Sequence, residues 1–544
     1  MPQEEPRTVP DLLAARAADD SPGLRFEGQT WTWRAVVTEC GRRTAWHARH
    51  IGVLLDNVPE MVFLIGGAAL SGHVIVALNT TRTPEELARD AAATDCGMVL
   101  YEPRYAEAAA ACGVPALDVT GEEYRRTVAG TAPVPPGPGP DPRDPVMLIF
   151  TSGTSGRPRA VRVTHRKLVV PGLSLAPLTG AAVYAPMPLF HSGALMAAVA
   201  PALASGATLV LRRRFSASAL LDDVRAYGCT YLHYVGKALS YVLATPERPD
   251  DADNPLRVAF GNEGSAALQE RFARRFGCRV IDAFGSTETA VSIRPAPDAP
   301  PGALGRLPPD VRICDPTGAE CPPARLDADG RLLNPEEAIG ELVNVAGGGL
   351  FDGYYNDPEA DAVRLRDGRF HSGDFAYADA DGFCYFVGRE LDRLRVDGEN
   401  LAAGPIEEAL RGFPGVIECA VYAVPDAAAG DQVMAALTLN GPFDAAAFTA
   451  WARGLGAKAA PRYVRICAAL PQTASNKILK RDLAREAWQT DDPVWHRPGR
   501  DTAYRRFTAA DARRLTAELR ANDRAHLAPS GEGQGVQRVS GLTE

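Results

Sequence analysis

Between Phe150 and His165 the chain reads FTSGTSGRPRAVRVTH, which sets Thr151, Ser152, Gly153, Thr154, Ser155 and Gly156 ahead of Arg157 and Arg159. Hydroxyls and unhindered backbone N–H groups at that density, followed by cations, suit the wrapping of an anion such as a nucleotide phosphate. The flanks make a bound loop the expectation over a linker. VMLIF (Val146 to Phe150) reads as a buried strand entering, and VRV (Val161 to Val163) alternates as a strand leaving. A plain turn between strands is the alternative. The spacing is not that of the ATPase P-loop, G-x-x-x-x-G-K-[ST] opening a helix. The Lys-Ser/Thr pair is missing, and Pro158 before a β-like segment argues against a helix there.

Three further stretches carry groups able to act on a phosphate. FGSTE puts Gly285, Ser286 and Thr287 beside the carboxylate of Glu288, HSGDFAYADADGFCYFVGR holds Asp374 and Arg389, and PQTASNKILKRDL holds Lys477. Any one of them alone reads as a cap, a turn or a loop. Lys477 has an argument from composition: of 58 basic residues only five are Lys, so its retention points to a use for a point charge on a flexible stem. The plain alternative is a solvated Lys beside Lys480.

In this order the four blocks resemble the adenylate-forming superfamily of acyl-CoA synthetases, luciferases and peptide-synthetase adenylation domains, over roughly Asp11 to Leu483. The resemblance implies that the opening loop wraps the β- and γ-phosphates of ATP, that Thr287 meets the α-phosphate, and that Glu288, with Thr151, holds Mg²⁺. It implies that Asp374 takes the ribose hydroxyls, that Arg389 also contacts the nucleotide, and that Lys477 is the mobile catalytic lysine. FGNEGS (Phe260 to Ser265) would lie with Gly264 and Ser265 against adenine, and PLFHSG would set His191 in the lining of the acid pocket. Asp392 matches the hinge about which a small domain swings, with Gly398 beyond it. Two departures stand out: Arg159 fills a position usually Lys, and Ala160 one usually Gly. Arg also binds phosphate.

The implied chemistry is activation of a poor electrophile. A carboxylate oxygen attacks the ATP α-phosphate, pyrophosphate leaves, and the acyl-adenylate passes to an acceptor. Positioning and charge neutralisation dominate such transfers. ATP and Mg²⁺ are therefore the expected cofactors, with CoA as a possible second substrate. YVGKALSYVLATPERPDDADNPLRVAFGNEGS is similar to the fatty-acid-transport-protein and very-long-chain acyl-CoA synthetase branch, particularly its actinobacterial fatty-acid–CoA ligases, and NLAAGPIEEAL and DQVMAAL fit that branch too. That branch usually has Gly-Gly or Gly-Asn after Glu288, whereas this chain has Thr289, Ala290 and Val291. The added volume suggests a shorter substrate. Relatives in natural-product pathways resemble diazotases, which activate nitrite and pass it to an aryl amine. Three readings follow: a fatty or aryl acid–CoA ligase of lipid or secondary metabolism, an ATP-dependent diazotase of antibiotic-type biosynthesis, and a non-catalytic nucleotide-binding protein.

These groups need a scaffold, and 544 residues with 46% hydrophobic content supply two or three folded units. EELARDAAATDC then GMVLYE, and FSASALLDDVRAYG then CTYLHYV, show the rhythm of a wound α/β sheet. The Pro/Gly-rich stretch Thr131 to Asp144 delivers the chain to the opening loop. From Arg306 onward strands and turns dominate. The expected fold is α/β, with a large N-terminal domain of wound layers plus a small β-rich subdomain (1–391), a small mobile α+β domain (392–490), and a partly disordered extension (491–544) that carries one amphipathic helix. A net charge of −9 without a basic tract argues against nucleic acid as a partner. Ten cysteines without a C-x-x-C pair suggest reduced thiols, and an acidic, Pro-containing N-terminus does not read as a secretory signal, so a cytoplasmic enzyme is expected. Met61 to Leu78 has eighteen residues without a formal charge, but its glycines and His73 divide it into a helix and a strand instead of a membrane span.

Overall fold

A computed structural model describes residues 6–151, 158–264, 266–296, 298–300, 302–327, 332–389, 393–396, 399–427, 431–455, 459–472, 478–498, 503–522 and 529. The chain divides into two compact units, Met1–Arg312 with Leu342–Ser372 and Asp381–Cys384, and Ile313–Glu341 with Gly373–Ala380 and Tyr385–Glu544.

The first unit holds two wound sheets. One has the order Arg279–Asp282, Val258–Asn262, Tyr231–Val235, Ala182–Ala185, Thr208–Leu211, Pro22–Phe26, Gln29–Thr32, parallel throughout except for the last pair. The other runs Ala116–Asp118, Met98–Tyr101, His50–Leu54, Val74–Ala77, Pro145–Thr151, Arg159–Thr164, and again only the last pair is antiparallel. Val/Ile/Leu-rich strands of this kind are buried on both faces. Ile51, Ile75 and Met147 of one sheet share a core with Leu24, Val183 and Leu209 of the other and with the helices Val9–Ala14, Pro59–Ser71 and His165–Thr179.

Met61 to Leu78 divides as expected into the helix Pro59–Ser71 and the strand Val74–Ala77. Pro59 opens the helix, and Gly72, in the left-handed region at φ 76°, closes it by donating to the Ala68 carbonyl. Among the described residues no helix is long and apolar enough to cross a membrane. Beyond Arg306, short strands at Val311–Cys314, Gly340–Asn344, Arg369–Ala378 and Phe383–Arg389 make up the β-rich region.

The second unit is built on a five-stranded sheet, Val416–Pro425, Asp431–Leu439, Tyr463–Ile466, Val494–His496, Arg505–Arg506. Alternation along its strands feeds two cores: Val421 and Val433 pack on one face with Ile406 and Phe448, and Tyr422 and Met434 on the other with Leu483 and Trp488. Residues after 490 continue this sheet by two strands. The amphipathic helix expected there spans Ala509–Ala521 and buries Leu515 and Leu519 in the second core. The polar end from Ser530 lies outside the described residues.

Candidate active site

The opening loop joins the antiparallel strands Pro145–Thr151 and Arg159–Thr164, with Thr151 directly opposite Arg159. Ser152, Gly153, Thr154, Ser155 and Gly156 lie outside the described residues, so the structure defines the base of the loop. A second segment is stitched onto that base. Tyr354 bridges Val161, the Arg162 amide donates to the Gly353 carbonyl, and the Tyr355 amide donates to the Ala160 carbonyl at 2.8 Å. Gly353 has φ 92°, and a Cβ there would stand 2.9 Å from the Asp361 carboxylate, which itself accepts from the Tyr354 amide. Glycine is required at this turn.

Tyr354 links the loop base to the FGSTE block. Its hydroxyl donates to Glu288 Oε1 at 2.9 Å, and its ring lies 5.5 Å beneath the Arg159 guanidinium, whose Nε is 3.8 Å from Asp357. Burial works to raise the Glu288 carboxyl, but a backbone N–H, the Tyr354 hydroxyl and the nearby Arg364 outweigh it and hold the group below its ordinary value. Glu288 is therefore an ionised, inward-facing carboxylate. Thr287 Oγ1 is 3.0 Å from Ser192 Oγ. The structure thus brings Thr151, Arg159 and Glu288 into one network through Tyr354, a residue that no motif marks.

Thr289 occupies the left-handed region at φ 57°, where a β-branched residue is rare and strain costs about 1–3 kcal/mol. Its hydroxyl donates toward the Ser286 and Thr287 carbonyls at 3.3 and 3.2 Å and lies 3.8 Å from Met196 Sδ. The backbone keeps a glycine-like turn while carrying a larger side chain. Ala290 is buried, and its carbonyl accepts from Asn344 at 2.7 Å. Gly285 is exposed on the short strand Phe284–Gly285.

The adenine segment ends at Gly264, whose amide donates to Asp282 Oδ2 at 2.7 Å, and Tyr234 donates its hydroxyl to the same oxygen at 2.8 Å. Burial pushes the Asp282 carboxyl up to about 6. Ser265 lies outside the described residues. His191 packs its ring 4.6 Å from Phe190 and leaves Nε2 buried without a hydrogen-bond partner among the described residues, and burial lowers the ring to about 4, so it is neutral at physiological pH. Lys167, on the helix His165–Thr179, is also fully buried. Its amine lies 5.8 Å from the Phe351 ring centre with no hydrogen-bond partner among the described residues, and burial lowers it to about 7 against the pull of Glu288 and Asp352.

Within the second unit, Asp374 is buried on the strand Arg369–Ala378, and the Gly373 amide before it, at φ 71°, donates to Glu341 at 2.8 Å. Arg389 ends the strand Phe383–Arg389. Lys477, Asp392 and Gly398 lie outside the described residues.

Residues 13–355 match the AMP-binding enzyme family, and residues 405–477 match the AMP-binding enzyme C-terminal domain. The chain belongs to the AMP-binding enzyme family. It is 46% identical to a medium/long-chain-fatty-acid–CoA ligase, FadD17, of Mycobacterium marinum, over 90% of this chain and 98% of that one. It is 43% identical to a steroid-22-oyl-CoA synthetase of Rhodococcus jostii, over 96% of this chain and 98% of that one. Among solved structures it is similar to the O-succinylbenzoate–CoA synthetase of Bacillus subtilis, seen with ATP and a magnesium ion, at a TM-score of 0.73 and 25% identity over 88% of this chain and 99% of that one. The expectation of an adenylate-forming, acyl-CoA-synthetase-like ligase of the actinobacterial fatty-acid–CoA ligase branch is met. So is the expected α/β architecture.

Proposed function

We propose that the protein activates a carboxylic acid with ATP and transfers the acyl group to CoA. The observation that carries this reading is the convergence of Arg159 and Glu288 on Tyr354 at the base of the glycine- and hydroxyl-rich loop. That loop, from Thr151 to Arg159, wraps the β- and γ-phosphates with its backbone N–H groups and the hydroxyls of Ser152, Thr154 and Ser155, and Arg159 adds a cation. Thr287 donates to the α-phosphate. Gly264 and Ser265 border adenine, Asp374 takes the ribose hydroxyls, and Arg389 contacts the nucleotide. Lys477 stabilises the charge that develops as the acid oxygen attacks phosphorus and pyrophosphate leaves.

The donor set suits Mg²⁺, which binds through one or two carboxylates together with substrate phosphates. Glu288, ionised and held in place by Tyr354, is the carboxylate, with the Thr151 hydroxyl beside it. When bound, the ion neutralises phosphate charge. The same reading assigns 1–391 to the adenylation domain, 392–490 to the small domain that swings about Asp392, and 491–544 to an extension. His191, Thr289 and Ala290 line the acid pocket. A cytoplasmic location fits ten cysteines scattered without a C-x-x-C pair. The relatives' names, all of acid–CoA ligases, favour CoA over an aryl amine as acceptor and lend nothing to nitrite activation or to a non-catalytic role. The test is formation of acyl-CoA and AMP from ATP, CoA and a panel of fatty and aryl acids, beside nitrite with aryl amines. Diazo product without thioester would overturn the proposal.

A further inference from the structure

The helix Pro358–Arg364 folds back on the Tyr354 turn that precedes it, because its Asp361 carboxylate accepts from the Tyr354 amide at 2.8 Å. The face that carries Asp361 is therefore turned toward Tyr354. Residues three apart share a helix face, which puts Arg364 on the same side. Its Nη1 donates to the His371 carbonyl at 3.1 Å and to the Ser372 carbonyl at 2.6 Å, while its Nε is buried with no hydrogen-bond partner among the described residues. One end of the guanidinium is thus anchored to the strand Arg369–Ala378, just before Asp374 in the sequence. Burial pushes the Tyr354 hydroxyl up to about 12, Glu288 adds to the rise and Arg364 opposes it, so the guanidinium acts on the same hydroxyl that donates to Glu288.

We propose that Arg364 is a positioning residue for acid activation: anchored by two carbonyls, it donates to the Tyr354 hydroxyl and so fixes the hydrogen bond that aims the Glu288 carboxylate. The inference rests on the ligase reading, in which Glu288 is the carboxylate for Mg²⁺, and adds to it a residue that acts through another. A tyrosine hydroxyl accepts and donates at once. An N–H donated to its oxygen polarises the O–H toward Glu288, and each bond of such a chain strengthens the next. Arginine suits the place because its planar fork holds several N–H groups in fixed directions, so carbonyls that fix one nitrogen fix the others too. A cation beside the pair also favours the ionised form of Glu288.

Wild type, Arg364→Met, Tyr354→Phe and the double variant are compared in two measurements: ATP affinity by calorimetry across a series of free Mg²⁺ concentrations, and pyrophosphate release with a straight-chain fatty acid. Arg364→Met should raise the Mg²⁺ concentration at the midpoint by about threefold or more and slow release roughly tenfold, the scale of one hydrogen bond to a charged group. Because Arg364 acts through the Tyr354 hydroxyl, adding Arg364→Met to Tyr354→Phe should change either quantity by less than about twofold. Effects that multiply in the double variant overturn the inference, and so does a wild-type midpoint in Arg364→Met. If Arg364→Met does not fold, Arg364→Lys, which keeps the charge and loses the fork, takes its place in the cycle and the same outcomes decide. The calorimetric measurement needs no acid. A wild type that binds ATP with Mg²⁺ but makes no AMP and thioester from any acid overturns the ligase reading alone, and the midpoints still decide for Arg364.

Discussion

The Tyr354 hydroxyl donates to the Glu288 carboxylate across 2.9 Å while the same ring lies beneath the Arg159 guanidinium, so one aromatic side chain orients two groups from opposite parts of the sequence. Tyr354→Phe keeps the ring, which packs edge-on against Phe351 at 5.0 Å, and removes only the donor. Hydrogen bonds to charged groups contribute about 1.5–3 kcal/mol. Pyrophosphate release should therefore slow by roughly ten- to a hundredfold, with the half-saturating Mg²⁺ concentration raised and the melting temperature nearly unchanged. Kinetics unchanged across a Mg²⁺ titration would remove Tyr354 from the site.

Glu288→Gln keeps the shape and deletes the charge. Activation should weaken more than nucleotide affinity, because the metal acts on charge that grows toward the transition state. Equilibrium binding of ATP beside steady-state pyrophosphate release separates the two effects. Full activity in excess EDTA would contradict the metal role.

Lys477→Ala should cost tens- to thousandsfold in adenylate formation, on the scale of removing one preorganised charge donor, and leave ATP binding and thermal stability close to wild type. A variant that releases pyrophosphate at the wild-type rate would sink the assignment.

Asp511 governs an acid-sensitive joint at the C-terminal end. It closes a capping box with Thr508 on the helix Ala509–Ala521 and pairs with Arg505 at 3.0 Å and Arg514 at 3.1 Å. Burial raises its carboxyl, but the Thr508 hydroxyl and amide and Arg505 outweigh that and pull it down to about 2. An unfolded Asp titrates near about 3.9. The stabilisation is thus fully present above about pH 4 and fades as the pH falls toward 2. Thermal melts between pH 5 and 3 should show a steeper loss in wild type than in Asp511→Asn. Parallel slopes would refute the role.

Much of this scaffold was legible in the chain. VMLIF and VRV read as strands because their apolar runs carry the pattern locally, and the divided helix and strand of Met61 to Leu78 followed from three glycines, a serine and His73 ahead of a β-branched run. Tyr354 was not legible: it meets Glu288 across 66 residues, and nothing in GYYN marks a tyrosine as an orienting group. A π-turn at Leu195–Val199 is too short for a period to show. The strands Val494–His496 and Arg505–Arg506 hold three and two residues, so their register comes from Tyr463 and its neighbours and not from their own alternation. Thr289 was legible as added side-chain volume after Glu288, but its positive φ belongs to the turn. Lys167, fully buried, carries no mark in the sequence, because burial of an amine is a property of what packs around it.

Synthesis of acyl-CoA through an adenylate releases AMP and thioester in step. The most direct measurement incubates the enzyme with ATP, Mg²⁺, CoA and a straight-chain fatty acid and follows AMP and thioester together. Equal amounts of AMP and acyl-CoA are expected, both dependent on the acid and on Mg²⁺, and both lost in Glu288→Gln. ADP in place of AMP, or AMP released with nitrite and an aryl amine but with no acid, would contradict it.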